Sequence, residues 1–170
     1  IRSVHEVRVP IALSISQGNQ FTAFIYYHGT APTANGSAIG DGFNNGTSQS
    51  WGNQVTWSLS EPYSAYEWWP CKQQLRDKID SVWTCITTDS TNKAGSNGLL
   101  KSLTYPGNGK ARYAWYEKHP IDYYLISATV AQYVEYNVYA HPAGMTDSVL
   151  VQNYVYNNPA TLPSFQNNIN

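Results

Sequence analysis

The chain has 170 residues, a net charge of −1 and charged side chains at only 12% of positions. That length holds one domain with a real core rather than two, and the charge balance excludes an electrostatic footprint for nucleic acid. Aromatics reach 14%, with 14 Tyr and 6 Trp against one Met, a polar, uncharged balance that favours an all-β domain and is common in secreted proteins.

No apolar run is long enough to span a bilayer. The chain opens on Ile1, without an initiator Met or a signal peptide, so a processed or excised piece of something longer is expected. Val7, Val9, Ile11, Leu13 and Ile15 alternate with mostly polar neighbours, the mark of a half-buried strand. Pro10 places that strand at an edge or breaks it. After a turn at Gln17 to Gln20, Phe21, Ala23, Ile25 and Tyr27 resume the alternation, and a hairpin is expected.

Gly29 to Gly52 is poor in apolar residues and reads as a long loop, of the kind that is functional or disordered. Asn35 and Asn45 head N-x-S/T sequons within it. Val55, Trp57 and Leu59 mark a third strand. It leads into Ser58 to Lys78, a stretch with Pro62, Pro70, four aromatics and Cys71 that no period explains. Proline at both places argues against a strand and against a helix interior, so a structured, function-bearing loop is expected there.

Ile79 to Thr88 is apolar on both parities and reads as a central strand, followed by a turn-rich connection from Ser90 to Gly98. Leu99 to Tyr105 and Ala111 to Glu117 flank Gly107-Asn108-Gly109-Lys110, a strong hairpin signal because Asn-Gly accommodates positive φ. Tyr123 to Tyr133, Val134 to Tyr139 and Val149 to Tyr156 read as further strands. No amphipathic helix is apparent, and Gln73 to Lys78 supplies at most a single turn. The expected fold is all-β, a β-sandwich or a twisted sheet packed on a smaller one, with long loops. Residues 1–156 are expected to form one β-domain, and 157–170 reads as a linker or departing tail.

Catalytic signatures are scarce. His5, His28, His119 and His141 show no metal-ligand spacing with each other or with a Cys. His5-Glu6 starts like HExxH, but the fifth position is Val9 and the segment alternates as a strand. No G-x-S-x-G elbow occurs. Cys71 and Cys85 define no disulfide framework, and a bridge and free thiols both stay open.

Glu61-Pro62, Ala65, Trp69-Pro70-Cys71 and Lys78 resemble the signature of the N-terminal β-domain of the aminopeptidase N family of zinc metallopeptidases, most nearly its secreted bacterial members. Tyr27-His28-Gly29, Gly42-Phe43, Ser96-Asn97-Gly98 and Pro120-Ile121-Asp122-Tyr123-Tyr124-Leu125 are similar to further motifs of that domain, in the same order. Departures are Tyr66, where the family has Arg, and Gln73 and Leu75, where it has an acidic residue and a proline. The resemblance implies a fragment that is not an enzyme by itself, since HExxH is missing, and that binds no cofactor. Zinc is expected in a catalytic domain absent from this chain.

It also implies that Glu61 meets the free α-amine of a peptide substrate, a charge-assisted contact that separates free from blocked N-termini. The competing reading is that Glu61 caps the turn before Pro62. Tyr63 and Tyr66 are candidates to line the substrate cleft, while Trp68, Trp69 and Cys71 read as packing. The expected partners are the chain's own catalytic domain and the substrate N-terminus, in a secreted, periplasmic or cell-surface protein. A second function class is a secreted carbohydrate-binding β-sandwich module, whose test is the exposure of Trp51, Trp57, Trp68, Trp69, Trp83 and Trp115.

Overall fold

The computed structural model describes residues 8–11, 14–30 and 42–169. Val7, Leu13, His5 and Asn35 lie outside them. The described residues form an all-β fold: β1 (Phe43–Thr47), β2 (Gln54–Ser58), a single helical turn α1 (Glu61–Ser64), β3 (Val82–Asp89), β4 (Lys93–Ser96), β5 (Leu99–Gly107), β6 (Lys110–Glu117), β7 (Ala128–Ala131), β8 (Tyr133–Ala140), β9 (Val149–Tyr156) and α2 (Thr161–Ile169). Short 3-10 turns add Ala65–Glu67 and Tyr123–Leu125.

Pairing is antiparallel throughout. A four-stranded sheet runs β1-β2-β7-β4, a three-stranded sheet β3-β6-β5, and β8 and β9 form a hairpin. The first two sheets share one core. Ala94 and Ala111 are fully buried and small enough to admit Tyr113 and Trp115, and Ile86, Leu100, Val130 and Tyr154 pack around them. Trp115 also donates its indole N–H to the Ala94 carbonyl at 3.0 Å, which satisfies the ring's polar edge inside the core.

The strongest local signal holds. Asn108 (φ 52°) and Gly109 (φ 68°) turn β5 into β6 with positive φ at both central residues, as a two-residue primed turn requires. Besides the segment Tyr123 to Tyr133, which is a 3-10 turn (Tyr123–Leu125) followed by the short strand β7 rather than one strand, four expectations change. The described residues 8–11 and 14–30 form no strand, although a turn closes between Ser16 and Asn19; Val9 is 65% and Phe21 63% exposed, so alternation there has no sheet to face. Strands β1 and β4 fall inside the two segments expected to be loops. Strand β3 lies at the edge of its sheet rather than at the centre, and its second apolar parity, Trp83 and Cys85, is exposed on one face.

The fourth change concerns helix. The single turn expected at Gln73 to Lys78 is present, closed by the Asp77 N–H on the Gln74 carbonyl at 3.0 Å, but the helical turn lies at Glu61–Ser64, where Pro62 occupies the first turn and its missing N–H removes no bond. Helix α2 occupies the segment read as a departing tail. Asn158 starts it by accepting the Ala160 N–H through Oδ1, and Thr161 is buried. No helix among the described residues is long and apolar enough to cross a membrane.

Candidate functional site

The stretch from Ser58 to Lys78 folds back onto the segment from Pro120 to Ala128, and each attachment has a chemical reason. At its start the Ser58 hydroxyl accepts the Ala128 N–H at 2.8 Å. At its end Lys78 lies 3.4 Å from the Asp122 carboxylate, and Ile79 and Ile121 exchange two backbone hydrogen bonds of 2.9 Å. Between them the buried Tyr123 donates its hydroxyl to the Pro62 carbonyl at 2.5 Å.

Inside the stretch, Trp68 organises the packing. Its ring stacks on Phe43 at 5.3 Å and meets Trp69 edge-on at 6.4 Å, and its N–H donates to the Ser60 hydroxyl at 2.8 Å. Ser60 itself is buried. Gly42, at φ 32°, lies so close to the turn that a Cβ there would run into the Ser64 carbonyl. That close approach explains why the Gly42-Phe43 pair belongs with this stretch: the glycine lets the chain in and the phenylalanine stacks on Trp68.

Glu61 sits at the apex with φ +46°, and among the described residues only Asn108 is another non-glycine with positive φ. A left-handed φ at such a residue costs of order 1–2 kcal/mol. Asparagine adopts it readily in a hairpin turn, whereas glutamate does so only when its surroundings hold it. The Glu61 carboxylate is exposed and makes no hydrogen bond or ion pair among the described residues, and no side chain caps α1. Tyr63 is 76% exposed beside it. Tyr66 is less exposed, and its backbone N–H donates to Gln73 Oε1 at 3.2 Å. Two positions that depart from the family pattern, Tyr66 and Gln73, are thus joined to each other.

The packing assignments hold for Trp68 and Trp69. Cys71 and Cys85 are both free thiols, Cys71 partly buried and Cys85 exposed. Burial pushes the Cys71 thiol up to about 11, against a weaker lowering by a backbone hydrogen bond. Because the thiolate is the nucleophile, iodoacetamide at pH 8 is expected to alkylate Cys85 well before Cys71, followed by mass spectrometry of the peptides. Equal rates would remove the burial argument.

The six tryptophans divide. Trp115 is buried, Trp51, Trp57, Trp68 and Trp69 are partly covered, and Trp83 is 58% exposed but stacked on Tyr116 at 4.7 Å. No group of three His, Cys, Asp or Glu among the described residues is arranged to hold a metal ion.

Motifs far apart in sequence meet at one more place. Asn97 accepts the Ser127 N–H at 2.6 Å and donates to the Leu125 carbonyl at 3.1 Å, while the Ser96 hydroxyl donates to the Ser127 carbonyl at 2.7 Å. Ser96-Asn97-Gly98 therefore pins the end of the segment that carries Tyr123. Sequence reasoning did not single out Ser58, Ser60 or Tyr123 for this region. Their role depends on contacts across 8 to 70 residues, which leave no periodic trace.

No family model matches the sequence, and no curated protein matches it either. Solved structures do. An M1 zinc metallopeptidase from Deinococcus radiodurans, a mutant bound to a Tyr-Ser-Ala substrate, superposes with a TM-score of 0.55 and 21% identity over 64% of this chain and 25% of that one. A further mutant structure from that organism gives a TM-score of 0.60 and 20% identity over 75% of this chain and 28% of that chain. A third gives 0.54 and 19% over 61% and 23%. The chain thus spans about a quarter of the length of the structures it matches. It has the fold of one part of an M1 zinc metallopeptidase. That fold agrees with the family resemblance carried by the motifs.

Proposed function

We propose that the chain is the non-catalytic N-terminal β-domain of a secreted zinc aminopeptidase-like protein, packing on a catalytic domain and presenting Glu61 to the α-amine of the substrate. The observation that carries this reading is the Glu61 apex: an exposed carboxylate with no partner among the described residues, at a positive φ on a turn tied by the Trp68–Ser60 and Tyr123–Pro62 hydrogen bonds. A glutamate capping its own turn would spend its oxygens on nearby N–H groups, and Glu61 makes no such bond among the described residues. Tyr63 on the Glu61 turn and Tyr66 on the 3-10 turn that follows it would flank the bound residue. Metal-activated water would come from the catalytic domain. This domain contributes the charge that selects a free N-terminus and sets which bond lies over the metal.

In the full-length protein, Glu61→Ala is expected to raise KM for L-alanine p-nitroanilide by roughly 10–100-fold, the worth of one hydrogen bond to a charged group. The melting temperature should stay within about 2 °C of the parent, because the side chain removed is exposed and has no partner among the described residues. Turnover of that substrate equal to the parent's would exclude Glu61 from the site.

A further inference from the structure

The Glu61 turn is fixed from both sides. On the N-terminal side, the Leu59 N–H bonds the Gly42 carbonyl at 3.0 Å and the Ser60 hydroxyl accepts from Trp68. The Ser64 N–H closes the turn on the Ser60 carbonyl at 2.9 Å. On the C-terminal side the bond that reaches in from another part of the fold is the one from the Tyr123 hydroxyl to the carbonyl of Pro62, the residue next to Glu61.

Tyr123 is built to keep that bond. It is 3% exposed, and its bond to the Pro62 carbonyl is part-buried. Its ring meets Tyr124 edge-on at 5.5 Å, and Asp122, one residue before it, is tied to Lys78. Burial raises its phenol above the usual range, with smaller contributions from Cys71, Tyr124, Tyr63 and Asp122, so the hydroxyl stays a donor at and well above neutral pH.

We infer that Tyr123 is a positioning residue for Glu61: by holding the Pro62 carbonyl, its hydroxyl fixes the direction in which the Glu61 carboxylate leaves the turn. A carboxylate on a flexible side chain gains affinity for an ammonium when its backbone is already fixed, because less freedom is lost on binding. Proline adds to this, since its locked φ leaves ψ as the one soft backbone dihedral between the Glu61–Pro62 peptide and the held carbonyl. The functional half of the inference rests on the reading of Glu61 as the amine ligand; the conformational half does not.

The test uses Tyr123→Phe, which keeps the ring and removes only the hydroxyl. In the chain described here, NMR carbon shifts and the amide–Hα coupling of Glu61 report its positive φ. Tyr123→Phe is expected to move or split the Glu61 signals while those of β5 and β6 stay in place. An unchanged, single positive-φ signature would overturn the inference.

In the full-length protein, Tyr123→Phe should raise KM for L-alanine p-nitroanilide about fivefold to tenfold with kcat within twofold. Combined with Glu61→Ala it should add nothing, because Tyr123 acts through Glu61. A full additional factor in the double variant would also overturn the inference. If Glu61→Ala alone leaves KM unchanged, the amine reading fails, and the NMR result still decides whether Tyr123 sets the turn.

Discussion

Trp115→Ala is expected to remove about 3–5 kcal/mol of stability, the range for emptying a large aromatic from a packed core. Trp115 is 6% exposed, sits between the two main sheets with Ala94, Ala111 and Tyr113, and meets Tyr154 edge-on at 6.5 Å. Its buried neighbours Ala94 and Ala111 are already the smallest residues with a Cβ, so neither can reach into the void. Thermal unfolding should fall by roughly 6–20 °C, the shift such a loss gives in a chain of this size. Trp115→Phe separates the two parts of the effect, because it keeps most of the apolar volume and loses the N–H that serves the Ala94 carbonyl. Its cost should be about 1–3 kcal/mol. A loss below about 1 kcal/mol for Trp115→Ala would show that the core is not shared between the sheets as described.

Gly98→Ala is expected to be nearly as damaging, although it adds a single carbon. Gly98 has φ +80°, and a Cβ there would fall against the Tyr116 carbonyl and 2.6 Å from the Glu117 Cα. The obstacle is the backbone of β6, held on one side by β3 and on the other by β5, so it cannot give way without breaking the Leu99–Tyr116 register. Left-handed strain and overpacking together amount to roughly 2–5 kcal/mol. Urea unfolding at constant slope would measure it; a midpoint within error of the parent would sink the close-approach account. The effect should extend to the Glu61 turn, because Asn97 holds the Ser127 end of the segment that carries Tyr123.

What the sequence disclosed follows the range of the interactions. The Asn108-Gly109 turn is a local matter of φ, and β5 and β6 were legible for that reason. The stretch around Glu61 stood out because two prolines and four aromatics fit no period. Its location was therefore visible, while its tie through Tyr123 to Pro62 was not. Strands β1 (FNNGT) and β4 (KAGS) have almost no strand propensity; β4 exists because β7 pairs with it and because Ala94 and Gly95 fit under neighbouring side chains. Alternation in residues 9 to 27 had the right period, yet no strand forms among the described residues there. Period states which face could be buried and says nothing of what buries it. Helix α2 escaped notice because Leu162 and Phe165 are nearly its whole apolar face. Its anchor is the long-range contact of Phe165 with Trp51 and the bond from Asn158 to the Trp51 carbonyl.

The β8–β9 hairpin carries a consequence for motion. Eight residue pairs zip it together, and Tyr133 stacks on Tyr154 at 5.9 Å and on Tyr156 at 5.4 Å at its root. Toward the tip, Tyr139, Val149, Leu150 and Val151 are exposed. A two-stranded ribbon has little stability of its own, so its hydrogen bonds open independently of the core where nothing covers them. Amide exchange along this hairpin should therefore form a gradient, fast at Ala140 and Val149 and slowing to the rate of global unfolding at Tyr133 and Tyr156. Such a gradient would locate the anchorage of the ribbon at its three stacked tyrosines and the Trp115 contact of Tyr154.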